Sequence, residues 1–405
     1  MDNNNYNNGY TNTPEPPQGV QDNSNQYYNN NNPANDGNIY NNAPYNNWSA
    51  SPSQIYEQTH RQGAPQYHYG NNPAFNQDYW IRKSKENELN QKHKREIRSL
   101  GNTTGVILII FLLISFIFSE IVTFPGIYSI YESNLTFQNA VGVLYSVVCI
   151  GAAFLIGSKL FKKKVNTEVI YSAPKDKLKA LLLIFIGFGG CICSNYVVSV
   201  LRTVFETMGF HSGYTALEDP KTVADIVMIV IGTAVVPPLI EEFAMRGILL
   251  SNYERYGNAF AILASAFVFG IFHGNAVQIP FAFLCGLFLA YAVMATKSIW
   301  TGVIIHLLMN GMSCVSSALV YFVDDYAADK FYVVASYVGI AMGVIALFVY
   351  VSLYKEKFIL KNHKVAKGLT TSSKFGTFIT SPVLVIAVII FVIEAISELT
   401  YSLAY

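Results

Sequence analysis

The sequence predicts an all-α protein, a polytopic bundle of about nine transmembrane helices preceded by a disordered amino-terminal tail. Two observations carry this. The chain is 52% hydrophobic and only 13% charged, and the apolar excess falls in long runs after residue 100. Several of those runs reach the roughly 20 residues that a helix needs to cross about 30 Å of hydrocarbon. The short alternating segments of a closed barrel are absent.

The elements follow in order. Residues 1–80 hold 21 Asn, many Tyr, Gln and Pro, and few aliphatic side chains, so they have little to bury and should be a disordered, solvated tether. The polar opening and the internal position of the first apolar run argue against a cleavable signal peptide. Residues 81–99 form a basic juxtamembrane segment, RKSKENELNQKHKREIR from Arg82 to Arg98, expected to make a short surface helix against anionic headgroups. The bundle occupies 100–400, with spans expected at 102–122, 139–160, 180–203, 224–250, 258–274, 279–296, 299–322, 331–354 and 378–400.

Charge placement orients those spans. With the tail inside, the inner segments (Arg82 to Arg98, Lys159 to Lys179, Arg255, Lys297, Lys355 to Lys374) carry 22 Lys and Arg, and the outer ones carry three, Arg202, Lys221 and Lys330. This split predicts a cytoplasmic amino terminus and an outer carboxyl terminus, as in a multi-pass protein of the plasma membrane. The formal net charge of +1 says little about partners, and no nucleic-acid partner is expected. The five cysteines, Cys149, Cys191, Cys193, Cys285 and Cys314, all fall in apolar runs without a CxxC pair, and read as small core residues.

Ionisable side chains inside spans are costly and mark functional positions or pairs. Glu241, Glu242 and Arg246 lie in the fourth span, His273 in the fifth, and His306 with Asn310 in the seventh. Glu120, Glu394 and Glu398 sit near outer span ends, where a carboxylate reaches water, and are assigned no role. Adjacent glutamates diverge by about 100° on a helix, so Glu241 and Glu242 cannot face one partner. Glu242 and Arg246, four apart, share a face and read as a structural ion pair. Glu241 is left for a polar cavity and general-base work. Pro237 and Pro238 remove two amide donors just upstream, freeing carbonyls one turn earlier and predicting a kink beside a cavity. Phe269 and His273 share one face, as do His306 and Asn310. Two histidines, an unpaired glutamate and an asparagine together offer a base, a partner for its water and donors for an oxyanion.

These residues resemble the CPBP family of intramembrane proteases, also called the CAAX-protease and bacteriocin-processing (Abi) family. The likeness rests on three motifs: EEFAMR at Glu241 to Arg246 for EExxxR, FGIFH at Phe269 to His273 for FxxxH, and HLLMN at His306 to Asn310 for HxxxN. It covers a core of about 180–322. It implies a helical bundle with a conical, water-accessible cavity, and a hydrolase acting on a membrane-associated peptide or protein, with a prenylated carboxyl terminus or a bacteriocin precursor among the candidates. By this likeness Glu241 and His273 activate a water, His306 and Asn310 stabilise the oxyanion, and Glu242, Arg246 and Phe269 support them. No cofactor is expected. If zinc were used, Glu241, His273 and His306 would be its ligands, although no HExxH helix is present.

Two other functions remain open: a non-catalytic membrane scaffold or immunity factor with the same fold, and a proton-coupled transporter. The second lacks the repeated hydropathy of two inverted halves. Residue counting leaves one conflict. From the expected inner span ends, His306 lies about 10 Å deep and His273 about 22 Å, so the two could meet Glu241 only if a helix starts elsewhere, tilts or is irregular. Gly270 and Gly274 flank His273 and could permit the irregularity.

Overall fold

A computed structural model describes residues 77–161, 171–210, 219–354 and 369–401. All but the last four residues of the expected tail lie outside the described residues, as do residues 162–170 and 355–368 of the lysine-rich segments. Every regular element among the described residues is helical.

Helix α1 (Gln77–Val122) is 46 residues long, about 69 Å at 1.5 Å per residue. It corrects the expectation of a separate surface helix, because the basic stretch runs without a break into the first span. The stretch has neither Pro nor Gly and is rich in Lys, Glu, Gln and Arg, which lose little rotamer freedom in a helix, so nothing stops it before the bilayer. Pro125 then opens α2 (Pro125–Ser133). The Asn134 side chain accepts from the Phe137 amide and starts α3 (Leu135–Ser158), which contains a π-type turn at Ser146–Gly151.

Asp176 caps α4 (Lys177–Thr207), and a reciprocal Thr222–Asp225 capping box opens α5 (Val223–Tyr256). There follow α6 (Asn258–Ile271), α7 (Gln278–Thr296) and α8 (Ile299–Phe322). Asp324 caps α9 (Asp325–Leu353), Thr370 caps α10 (Thr371–Ile379), and α11 (Pro382–Tyr401) ends the described chain.

Among the described residues eight helices are long and apolar enough to cross a membrane: α1, α3, α4, α5, α7, α8, α9 and α11. The ninth expected span, 258–274, is α6, whose 14 residues extend about 21 Å and fall short of the hydrocarbon thickness. Helix α6 is sheathed by protein instead, with Phe260, Ala261, Ala264 and Val268 at most 1% exposed. It forms a hairpin with α7, and an ion pair between Glu254, just before α6, and Lys297, just after α7, places both open ends on one side.

In lipid, helices associate through close van der Waals contact rather than hydrophobic exclusion, and small residues permit it. A Cβ on Gly105 of α1 would lie 2.4 Å from the Leu384 amide nitrogen, and one on Gly101 would lie 2.3 Å from Ser381 Oγ. These glycines, one turn apart, bring α1 against the start of α11. Gly189 of α4 meets Gly339 and Gly343 of α9 in the same way. Of the five cysteines four are buried, but Cys193 is exposed. That corrects its reading as a core residue, because two positions along from buried Cys191 a helix has turned by about 200°.

Candidate active site

The site is built around an irregular stretch of α5. The expected kink takes the form of two π-type turns, Val230–Val235 and Phe243–Leu250, on either side of an α-helical Val236–Glu242. Pro237 and Pro238 lie four and five residues after Thr233, so neither an α-type nor a π-type amide reaches back to the Thr233 carbonyl. Asn310 supplies the missing donor, its Nδ2 lying 2.8 Å from the Thr233 oxygen. The proline pair and the motif asparagine thus form one structural unit. Asn310→Leu should strand that carbonyl and lower stability by about 1 kcal/mol, read as a fall in the thermal unfolding midpoint in detergent. An unchanged midpoint would show that the bond contributes nothing.

Glu242 and Arg246 form the expected ion pair, Oε1 to Nη1 2.7 Å, with both side chains 0% exposed. Arg246 Nη2 also donates to the Gly286 carbonyl of α7 at 3.3 Å, and the guanidinium sits 4.5 Å from the centre of the Phe269 ring. Helix α8 packs directly onto this pair. A Cβ on Gly302 would lie 2.5 Å from Glu242 Oε2, so only glycine leaves room for the carboxylate there. Gly302 was not singled out in the sequence, although its place one turn before His306 was a readable signal.

Glu241 points away from this pair and stays 13% exposed. His306, one turn on from Gly302, stands between the two glutamates, with Nε2 3.9 Å from Glu241 Oε2 and Nδ1 3.4 Å from Glu242 Oε1. Buried polar atoms without hydrogen-bond partners gather here: Glu241 Oε2, Glu242 Oε2, Arg246 Nε and His306 Nδ1.

His273 lies in the turn just past the end of α6, before Gly274 with its left-handed φ of 61°. Its Nδ1 is 2.7 Å from the Phe269 carbonyl oxygen. A carbonyl only accepts, so Nδ1 carries the proton, and in the neutral ring Nε2 is left as an acceptor. The Phe269 ring is the hub of the site, with centroids 4.9 Å from His273 and 5.9 Å from His306. His273 also lies within electrostatic reach of Glu241.

Residue counting sets the two histidines at different depths, yet both rings stand against the Phe269 ring. The start of α8 is tied to the segment before α4: Ser298 Oγ donates to the Ser172 carbonyl and Trp300 Nε1 to that of Tyr171. Glu394 and Glu398, which the sequence assigns no role, are exposed as expected. They lie one turn apart on α11 and touch the 274–275 turn beside His273. Nothing in the local sequence around them points to that turn, which is more than 100 residues away.

A metal would require Glu241, His273 and His306 to converge on one point. Among the described residues no three His, Cys, Asp or Glu side chains are grouped so that they could share an ion.

Residues 223–312 match the family described as Type II CAAX prenyl endopeptidase Rce1-like. The Bacillus subtilis (strain 168) protein named "Putative membrane peptidase YdiL" is 25% identical over 185 residues, which cover 44% of this chain and 72% of that protein. No solved structure matches the chain. The matched segment contains all three motifs that meet around the Phe269 ring, and over this segment the membrane protein is similar to the CAAX-protease family.

Proposed function

We propose that the chain is an intramembrane endopeptidase in which Glu241 is the general base. The observation that carries this reading is the unequal fate of two adjacent carboxylates. Glu242 is fully buried and neutralised by Arg246, whereas Glu241 is partly exposed, with an unpaired Oε2 facing His306 at 3.9 Å. A carboxylate kept free at such cost in a membrane interior is suited to taking a proton.

In this mechanism a water held by Glu241 and His273 Nε2 gives its proton to Glu241 as its oxygen bonds to the scissile carbonyl carbon. The carbonyl π electrons move to oxygen, and that oxyanion is met by His306 and the second Nδ2 hydrogen of Asn310. Collapse breaks the C–N bond, and the proton held by Glu241 passes to the leaving amine. The substrate class is a membrane-associated peptide, with a prenylated carboxyl terminus or a bacteriocin-type precursor as the leading forms. The amino terminus is assigned to the cytoplasm on the charge split.

The test uses the purified full-length protein in lipid nanodiscs. A farnesylated peptide ending in Cys-aliphatic-aliphatic-X, its unprenylated counterpart and a bacteriocin leader peptide are each offered with and without a chelator. Cleavage of at least one peptide that survives chelation is expected. Cleavage lost on chelation and restored by zinc would replace the metal-free mechanism, and a protein inert toward all three would favour the scaffold reading.

A further inference from the structure

Helix α11 lies outside the matched segment, yet it reaches the turn that carries His273. Asn275 is 7% exposed and organises this turn. Its Oδ1 accepts from the amides of Val277 at 2.9 Å and Gln278 at 3.1 Å, and its carbonyl accepts from Ile279 at 2.8 Å, which starts α7. With Oδ1 used in this way, the amide nitrogen needs an acceptor, and Glu398 of α11 provides one through Oε2. One turn earlier on the same face, Glu394 Oε2 lies 3.3 Å from where a Gly274 Cβ would stand, and the Phe391 ring packs beside it at 3.7 Å. Phe391 is 1% exposed and stacks near Phe111 of α1, so this face of α11 is anchored in the core. Backbone bonds tie the first half of the turn to α6, from His273 N to the Gly270 carbonyl at 3.2 Å and from Gly274 N to that of Ile271 at 3.1 Å, while beyond the left-handed Gly274 the ties run through Asn275.

We propose that Glu398, acting through Asn275, is a positioning residue. It fixes the turn that holds His273 and so makes α11 part of the site's framework. Its kinetic consequence rests on the hydrolytic reading above, but the placement of the turn does not. An imidazole that must receive a water beside Glu241 tolerates little displacement, and loosening its support should cost turnover rather than substrate binding.

The experiment compares wild type, Glu398→Ala, Glu398→Gln and Asn275→Asp, all full-length in nanodiscs, by amide hydrogen exchange over residues 273–279 and by kinetics on whichever of the three peptides is cleaved. Glu398→Ala and Asn275→Asp should each speed exchange in this segment about 10-fold, with exchange in α4 and α9 unchanged. Glu398→Gln, whose amide oxygen still accepts, should restore most of the protection. In parallel kcat should fall about 10-fold for the first two variants with KM within about twofold, and recover in Glu398→Gln. Unchanged exchange in Glu398→Ala, or a loss confined to KM, overturns the proposal. A wild type inert toward every peptide defeats the hydrolase reading alone, and exchange still decides whether Glu398 holds the turn.

Discussion

Glu241→Gln should reduce cleavage about 10³-fold while leaving the protein folded, the largest effect on turnover of any single exchange considered. Glutamine keeps the volume and one acceptor oxygen but cannot take a proton. The same exchange costs little stability, because Glu241 is 13% exposed and its Oε2 has no hydrogen-bond partner to lose. Removing a poorly solvated charge should if anything raise the unfolding midpoint slightly. The measurement pairs the nanodisc cleavage rate with a thermal melt of the same sample. Turnover within about tenfold of wild type would end the general-base assignment, and a loss of activity matched by a collapsed midpoint would recast Glu241 as structural.

Much of this site was legible because motif spacing and helix geometry share one period. Four-residue spacing was enough to pair Glu242 with Arg246, and the structure places them 2.7 Å apart. The same spacing joined Phe269 to His273, whose rings touch even though α6 ends between them. The prolines forecast freed carbonyls, but not that Asn310 of another helix would take one up. Depth was the weak point. Apolarity marks a segment as excluded from water without distinguishing lipid from protein as its surroundings, so α6 read as a span when it is a short helix enclosed by its neighbours. Contacts across the chain left no local trace either: Gly302 matters because of Glu242, and Glu398 because of Asn275. Each partner lies far off in the chain, and a glycine or a glutamate alone resembles many others.

The largest effect on stability should come from Arg246→Leu. That exchange leaves Glu242 charged or newly protonated in a place with 0% exposure, pressed against Gly302 and 3.4 Å from His306. Breaking one side of a buried pair costs about 3–5 kcal/mol, because the remaining charge keeps its desolvation penalty and loses the attraction that offset it. The contact of the guanidinium with the Phe269 ring is lost as well. The double exchange Glu242→Gln, Arg246→Met removes both charges, and most of the stability should return, since a buried pair contributes little net free energy over a well-packed neutral replacement. Activity should not return with it. His306 would no longer have a carboxylate on its Nδ1 side to orient the ring toward Glu241, so the double variant should melt near wild type yet cleave at least about tenfold more slowly. An Arg246→Leu protein as stable as wild type would mean that the pair is not closed in the membrane. A double variant with full activity would show that the pair serves the fold alone, leaving Glu241 to be oriented by His306 and His273 without help from its neighbour.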